Sequence, residues 1–451
     1  MAIFDRARLR NATLLAGSSV AVLPVAALAP ALPALAVAFQ DTPNAELLVR
    51  LTLTLPALLI AIGAPIAGLL LDRWGRRPVI ILSLLGFGLA GTSGFFLNSL
   101  EAILVSRAVV GLAAAGLISG FTTLVADYFS GPRLNQFMGY QGAAIGAGAM
   151  AGVLMGGFLA DLGWQFPFLS HLYALLVLPA VVLAVHEPGR DVEGSSVGRR
   201  VDRRETPLET PVLAGEAQPV TCTPEQVHPA IVTAITERER RAGVKAEAGV
   251  PDEQRGLHRR TIAWVYAIAF GAMVVAFVFP VQLPFYLTVL TMASNPQIAL
   301  ALALQTLTSI TVALRYQRLQ ARFSHRGIFI LVFLALGGGH LIVALAPVYV
   351  LVIAGAMIAG LGVGLLAPNL GAVVALTVPA RVRGRAMGGL TALLFLGQFF
   401  SPLILQPVLQ QSGIGATFLV AGLGSLAAAM VLLALRLGPL LGRAKTVAPS
   451  R

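Results

Sequence analysis

A single cysteine, Cys222, excludes an intramolecular disulfide and a cysteine-held metal cluster. Charge is also scarce: 12% of the 451 residues are charged, against about a quarter in soluble domains, too few to coat a water-soluble chain of this length. Only two lysines occur, Lys245 and Lys445, and neither follows a glycine. A phosphate-binding Gly-x-x-x-x-Gly-Lys-Ser/Thr loop is therefore absent, which excludes ATP hydrolysis by this chain. From Thr261 to Arg451 there is no acidic residue at all. Histidines are scattered and not clustered with Asp or Cys, so neither a membrane-embedded enzyme, a metal site nor a cofactor is expected.

What is abundant is apolar sequence, 57% of the chain. Runs such as Val79–Leu97 and Phe329–Ala346 approach or reach the ~20 residues that a helix needs to cross the ~30 Å of bilayer hydrocarbon. The apolar region behind the basic start, about 14–39, is longer than the core of a cleavable signal and reads as a first membrane helix. Twelve helices are expected, near 14–39, 48–71, 79–98, 101–124, 137–160, 166–185, 262–288, 297–314, 328–346, 349–374, 386–407 and 414–436. The net charge of +12 sits in short clusters between these spans and along no groove, which argues for topology signals and against nucleic acid. Arg73, Arg76 and Arg77, Arg133, Arg315 to Arg326, Arg381 to Arg385, and Arg436 with Arg443 fill alternate connections. By the positive-inside rule both termini are expected in the cytoplasm, with Arg50, near the outer start of helix two, as the one exception. Trp74, Trp164 and Trp264 are expected at the membrane interfaces.

Residues 187–260 are rich in charge, Pro, Gly and Thr and read as a largely disordered cytoplasmic linker, with an amphipathic helix possible in composition at Pro224–Arg241. The linker separates two related halves. A shift of 249 positions sets Gly111 on Gly360, Gly139 on Gly388, Gly148 on Gly397, and the Arg73 and Arg77 cluster on Arg322 and Arg326. Duplication of a six-helix unit explains the match, and such repeats mark transporters with a site at the midplane. The expected organisation is 1–186, a first bundle; 187–260, the linker; 261–437, a second bundle; and 438–451, a cytoplasmic tail.

The sharpest motif closes helix two: Gly68, Asp72, Arg73, Gly75, Arg76 and Arg77. Here the chain resembles the major facilitator superfamily, and in particular bacterial twelve-helix members of the drug- and sugar-efflux type. The resemblance implies two pseudo-symmetric six-helix bundles, all α. It also implies a latch in which Asp72, Arg76 and Asp127 hold helix two to helix eleven near Ala386 in the outward-facing state. Arg107, four residues before Gly111 in helix four, resembles a second family motif, although the polar residue usual before the glycine is Val110 here. An arginine in hydrocarbon costs at least ~2.5–3.5 kcal/mol, so Arg107 either faces the interior, to bind an anion or tune a proton carrier, or snorkels outward. Helix five carries Gly139, Gly148, Gly152, Gly156 and Gly157, the spacing of the family's antiporter motif. The proline expected after its third glycine is Val153, and the repeat places Pro402 opposite that position.

Helix one has no carboxylate between Leu14 and Phe39, which disfavours a permanently cationic solute. His171 and His340 lie within helices and are candidate proton carriers, since an unperturbed imidazole titrates near pH ~6.5. Gln282, Tyr286, Gln305, Asn369 and Gln398 are candidate cavity-lining residues, or interhelical hydrogen-bonding ones. Gln282–Tyr286, with Pro284 inside, resembles the kinked helix ends of efflux members, and Pro30 and Pro33 are its counterparts in helix one. The expected function is proton-coupled efflux of a small neutral or anionic solute by a monomer in the cytoplasmic membrane. Uptake of a metabolite, or a non-transporting assembly or receptor role on the same scaffold, are the competing readings.

Overall fold

The computed structural model describes residues 2–187 and 252–434, and every regular element among them is a helix. Most of the expected linker, including 224–241, and the expected tail at 438–451 lie outside the described residues.

All twelve expected spans fall on helices. The first, α1, is built of four pieces: Ala2–Val20, Leu23–Ala27, a 3-10 turn Ala29–Ala31, and Leu32–Ala38. Pro24, Pro30 and Pro33 stand within the first two positions of the last three pieces. A proline is tolerated there, yet each denies a donor to the carbonyl four residues before it, so the span cannot run as one rod. Then follow α2 (Ala45–Trp74), α3 (Arg76–Ser93), α4 (Leu100–Tyr128), α5 (Gly131–Leu162) and α6, a 3-10 turn Phe166–His171 leading into Leu172–Ala184. In the second half α7 comprises Asp252–Ala276 and Val278–Thr291, α8 is Asn295–Leu314, and a short helix Tyr316–Gln320 leads to α9 (His325–Ala344). The last three are α10 (Tyr349–Thr377), α11 (Ala380–Ser412) and α12 (Ile414–Ala434). Side-chain caps fix several starts: Ser99 accepts from the Ala102 amide, and Ser294 with Gln297 forms a capping box at α8.

Ten of these helices are long and apolar enough to cross a membrane, or eleven if the two parts of α1, bent by 40°, count as one span. The remaining one, α3, spends its first two positions on Arg76 and Arg77. The interruptions repeat as well. Leu28 in α1 and Phe277 in α7 are 249 residues apart, the spacing of the sequence repeat. The α7 break thus precedes Gln282–Tyr286, whose Pro284 lies inside a continuous helix.

The halves meet where α2 packs on α11 and α5 on α8. One apolar core draws its buried residues from 14–185; the other lies mostly within 265–432 and takes in Leu32, Leu53, Ile103 and Phe168 of the first half. The end of the molecule holding Arg73, Arg133, Arg318 and Arg383 is called the basic end below, and the opposite one the far end.

The two ends differ in closure. At the basic end an added Cβ on Gly68, Gly139 or Gly388 meets no atom within 4 Å. Deeper along α5 the reverse holds: a Cβ on Gly146 would lie 2.7 Å from Ile310 Cγ1, and one on Gly157 would lie 2.9 Å from Asn295 O. Two side-chain hydrogen bonds cross between the halves among the described residues, Arg50 to Gln282 and Asn295 to Asp161, and both lie at the far end. The structure is joined at the far end and spread at the basic end.

Candidate functional site: a cavity between the halves

A cavity of about 430 Å³ lies between the two halves. Both interrupted helices line it, α1 through Val22, Val25 and Ala29, and α7 through Ala276, Phe277 and Pro280. Pro280 has no N–H, so it donates no hydrogen bond to the carbonyl of Ala276 four residues before it. The first half contributes otherwise apolar side chains, among them Leu53, Pro56, Ile60 and Val153. Polar side chains come from the second half: Gln305, Thr306 and Ser309 on α8 and Gln398 on α11. Thr306 donates to the Leu302 carbonyl in its own helix.

Of the five residues expected to line the cavity, Gln305 and Gln398 do so. The other three face different partners. Tyr286 is buried and donates to Val343 O at 2.9 Å. Asn369 is held among His325 and Tyr316, its Oδ1 accepting from the Tyr316 hydroxyl at 3.1 Å. Burial pushes that phenol up to about 12, so it remains a neutral donor at physiological pH. Gln282 accepts from Arg50 Nε at 2.9 Å.

The glycines of α5 explain how α1 can break and still pack. A Cβ on Gly152 or Gly156 would overlap the carbonyl oxygens of Leu23 and Ala27, so backbone lies directly on backbone along this stripe. In the second half Gly397 lies against the Phe270 carbonyl, and Ser401 donates to Val274 O at 2.7 Å. The neighbouring Pro402 is buried within α11. Gly111 similarly lets α4 close on α2, where a Cβ would lie 2.6 Å from Pro56 O.

Arg107 is fully buried within the first half and is not part of the cavity wall. It donates to Gly91 O at 3.0 Å and meets His171 Nε2 at 3.1 Å, with Phe168 beneath its plane. A guanidinium only donates, so Nε2 accepts and the His171 proton sits on Nδ1, facing Phe168 O at 3.0 Å. Gly91 and Gly94 make room, since side chains there would overlap His171 and Phe168. The structure thus joins two residues the sequence kept apart and leaves His171 no free nitrogen. His340 differs: Nδ1 is 2.7 Å from Leu336 O and Nε2 is 3.1 Å from Val275 O. A neutral ring has one N–H for two acceptors; the protonated ring satisfies both.

At the basic end Arg76 pairs with Asp127 at 3.1 Å. Asp72 is not joined to them: it is exposed, and its carboxylate makes no hydrogen bond among the described residues. The seat at the start of α3 is taken by Glu187, which accepts from the amides of Arg76 and Arg77 at 2.7 and 2.9 Å and suits the helix dipole. Arg77 reaches Val182 O, Gly75 turns the chain at φ 93°, and Arg73 is exposed. Glu187 was read as the first residue of the linker, and its signal was a lone carboxylate directly after α6.

The far end holds the residue that sequence reasoning undervalued. Arg50, the exception to the arginine pattern near the outer start of α2, is as buried as Arg107, 1% exposed. Beyond Gln282 it donates to Glu46 O at 2.7 Å and pairs with Glu46 Oε1 at 3.1 Å, with Phe285 under its guanidinium. Gln282 Nε2 is buried without a partner.

Comparison with known proteins agrees with this architecture. A family model described as Major Facilitator Superfamily matches residues 14–293 and 265–449. Multidrug resistance protein 1 of Bacillus subtilis (strain 168) is 33% identical over 137 residues, 30% of this chain and 35% of that protein. The class B tetracycline resistance protein of Escherichia coli is 35% identical over 117 residues, 26% of this chain and 29% of that protein. The chain therefore aligns with about a third of the length of these relatives. A crystal structure of a D-xylose-proton symporter superposes with a TM-score of 0.68 at 15% identity, covering 96% of this chain and 97% of that one, which bears on the fold alone.

Proposed function

Since the chain belongs to the major facilitator superfamily, we propose that it carries a small neutral or anionic solute out across the cytoplasmic membrane by alternating access, in exchange for protons. It is a multi-pass membrane protein and, as its family requires, a transporter and not an enzyme. The observation that carries the reading is the cavity, walled by both halves at their matching helix breaks, while the side-chain hydrogen bonds that cross between the halves among the described residues lie at one end. A solute bound there can leave by one end, and a rocking of the halves exchanges that end for the other.

With the basic end in the cytoplasm, as arginine counting requires, this conformation faces inward and both termini are cytoplasmic. Closing the basic end would bring the exposed Asp72 towards the start of α11 near Ala386, where a helix N-terminus suits a carboxylate by about 0.3–1 kcal/mol. Arg76, Asp127 and Glu187 hold the α2–α3 turn to α4 and α6, so that the turn moves with the first half as a unit. The glycines of α5 supply the surface over which α1 slides. Export is favoured by the resistance named for the two relatives, and by the α5 glycine series. His340 is the better proton carrier of the two candidates, because two carbonyl acceptors await a ring that carries two protons. The protein acts as a monomer, each chain holding a complete cavity.

The test is accumulation of fluorescent neutral and anionic amphiphiles in cells with and without the protein. Expressing cells should hold less, and a protonophore should abolish the difference. Equal accumulation across the panel would remove the transport reading; higher accumulation would reverse its direction.

A further inference from the structure

We propose that the cavity selects uncharged, lipophilic molecules that present a single hydrogen-bonding edge, and that the carboxamides of Gln305 and Gln398 read that edge. This rests on the cavity being the transport site and narrows its substrate class. Gln305 is 9% exposed and Gln398 is half-buried, and among the described residues neither side chain bonds to a protein group, although each offers donors and acceptors. Both carboxamides line the cavity and keep their hydrogen-bonding capacity for a ligand that enters it.

No lining residue is charged. Arg50 and Arg107 are turned to other partners, so an ion entering the cavity would shed its hydration and gain no counter-charge. Carboxamides cannot discriminate by sign, but they do discriminate by hydrogen-bonding capacity. A sugar or peptide would fit badly, since most of its polar groups would face Val22, Leu53, Pro56, Ile60 and Val153. The volume, about 430 Å³, suits a drug-sized molecule with its body against α1 and α2 and its polar edge towards α8 and α11.

The experiment uses the purified full-length protein in nanodiscs, with empty discs subtracted. Three pyrene probes share a butyl arm ending in carboxamide, carboxylate or trimethylammonium; 1-butylpyrene is the fourth. Binding is read from pyrene fluorescence. The carboxamide should bind at least tenfold tighter than either charged probe. In Gln305→Leu/Gln398→Leu it should lose at least tenfold, while 1-butylpyrene binds as well or better, which also reports an intact cavity. Equal binding of a charged probe to the wild-type protein overturns the proposal without recourse to a variant; so does undiminished carboxamide binding in the double variant. The expected preference in a protein that moves no solute would uphold this inference and remove the transport reading. Transport of the carboxylate or ammonium probe would do the opposite.

Discussion

His340 is the residue on which the proposed proton coupling can be tested. Its two ring nitrogens face carbonyls from two helices, its own α9 and α7 near the break. His340→Leu should leave solute exchange intact and abolish net flux driven by an imposed pH gradient, measured in reconstituted vesicles; unchanged gradient-driven flux would exclude His340 as the carrier. Tyr316 gives a cleaner pH signature because it lies outside the spans. Its phenol titrates near 10 in the unfolded chain and at about 12 when buried. The native state therefore holds the proton between those values after the unfolded state has lost it, and stability falls as pH rises from about 10 to 12. Thermal melts of Tyr316→Phe should lack this part of the alkaline decline. Residue types of this kind were legible in the sequence, but their partners were not. Arg50 sits near a helix start, where an arginine ordinarily reaches interfacial water. Its burial arises from Gln282, 232 residues later, through packing that no local pattern records.

At the scale of the helix, the glycines of α5 separate into two kinds that look the same in the sequence. Gly156 lies against the Ala27 carbonyl, whereas Gly139 has open space around it. Gly156→Ala should lower the melting temperature by the cost of overpacking, about 1–3 kcal/mol, and Gly139→Ala should leave it within ~0.5 kcal/mol, as followed by thermal unfolding in detergent. Helix existence was readable throughout because apolar runs of membrane length have few other uses. The prolines of α1 also announced a break. Where α7 breaks was not readable: the Pro284 cluster drew attention, yet the interruption falls at Phe277, the position matching Leu28 across the repeat. Of the latch that the motif implies, the Arg76–Asp127 pair is present here, while the Asp72 carboxylate is exposed and Glu187 fills the helix start.

For the molecule as a whole, the Arg50–Gln282 and Asp161–Asn295 bonds are the polar links that keep the far end shut. In a Cys222→Ser background with a reporter cysteine at Val25, Arg50→Ala with Asn295→Ala should increase labelling by an impermeant maleimide added from the far side. Unaltered labelling would mean that apolar packing alone closes that end. The two-halves plan itself was visible as a glycine and arginine repeat, while the end at which the halves are bonded was not, since no local pattern records contacts between distant helices. There remains Arg107, a positive charge set deep in the first half with no carboxylate beside it. When that half tilts, the charge changes its depth in the membrane's electric field, where a full crossing is worth about 2.3 kcal/mol per 100 mV. With no pH gradient imposed, a voltage step should therefore draw a transient displacement current on a supported membrane even when the cargo is uncharged, and Arg107→Gln should reduce it. A cell's voltage, and not its pH gradient alone, would then bias which way the protein faces.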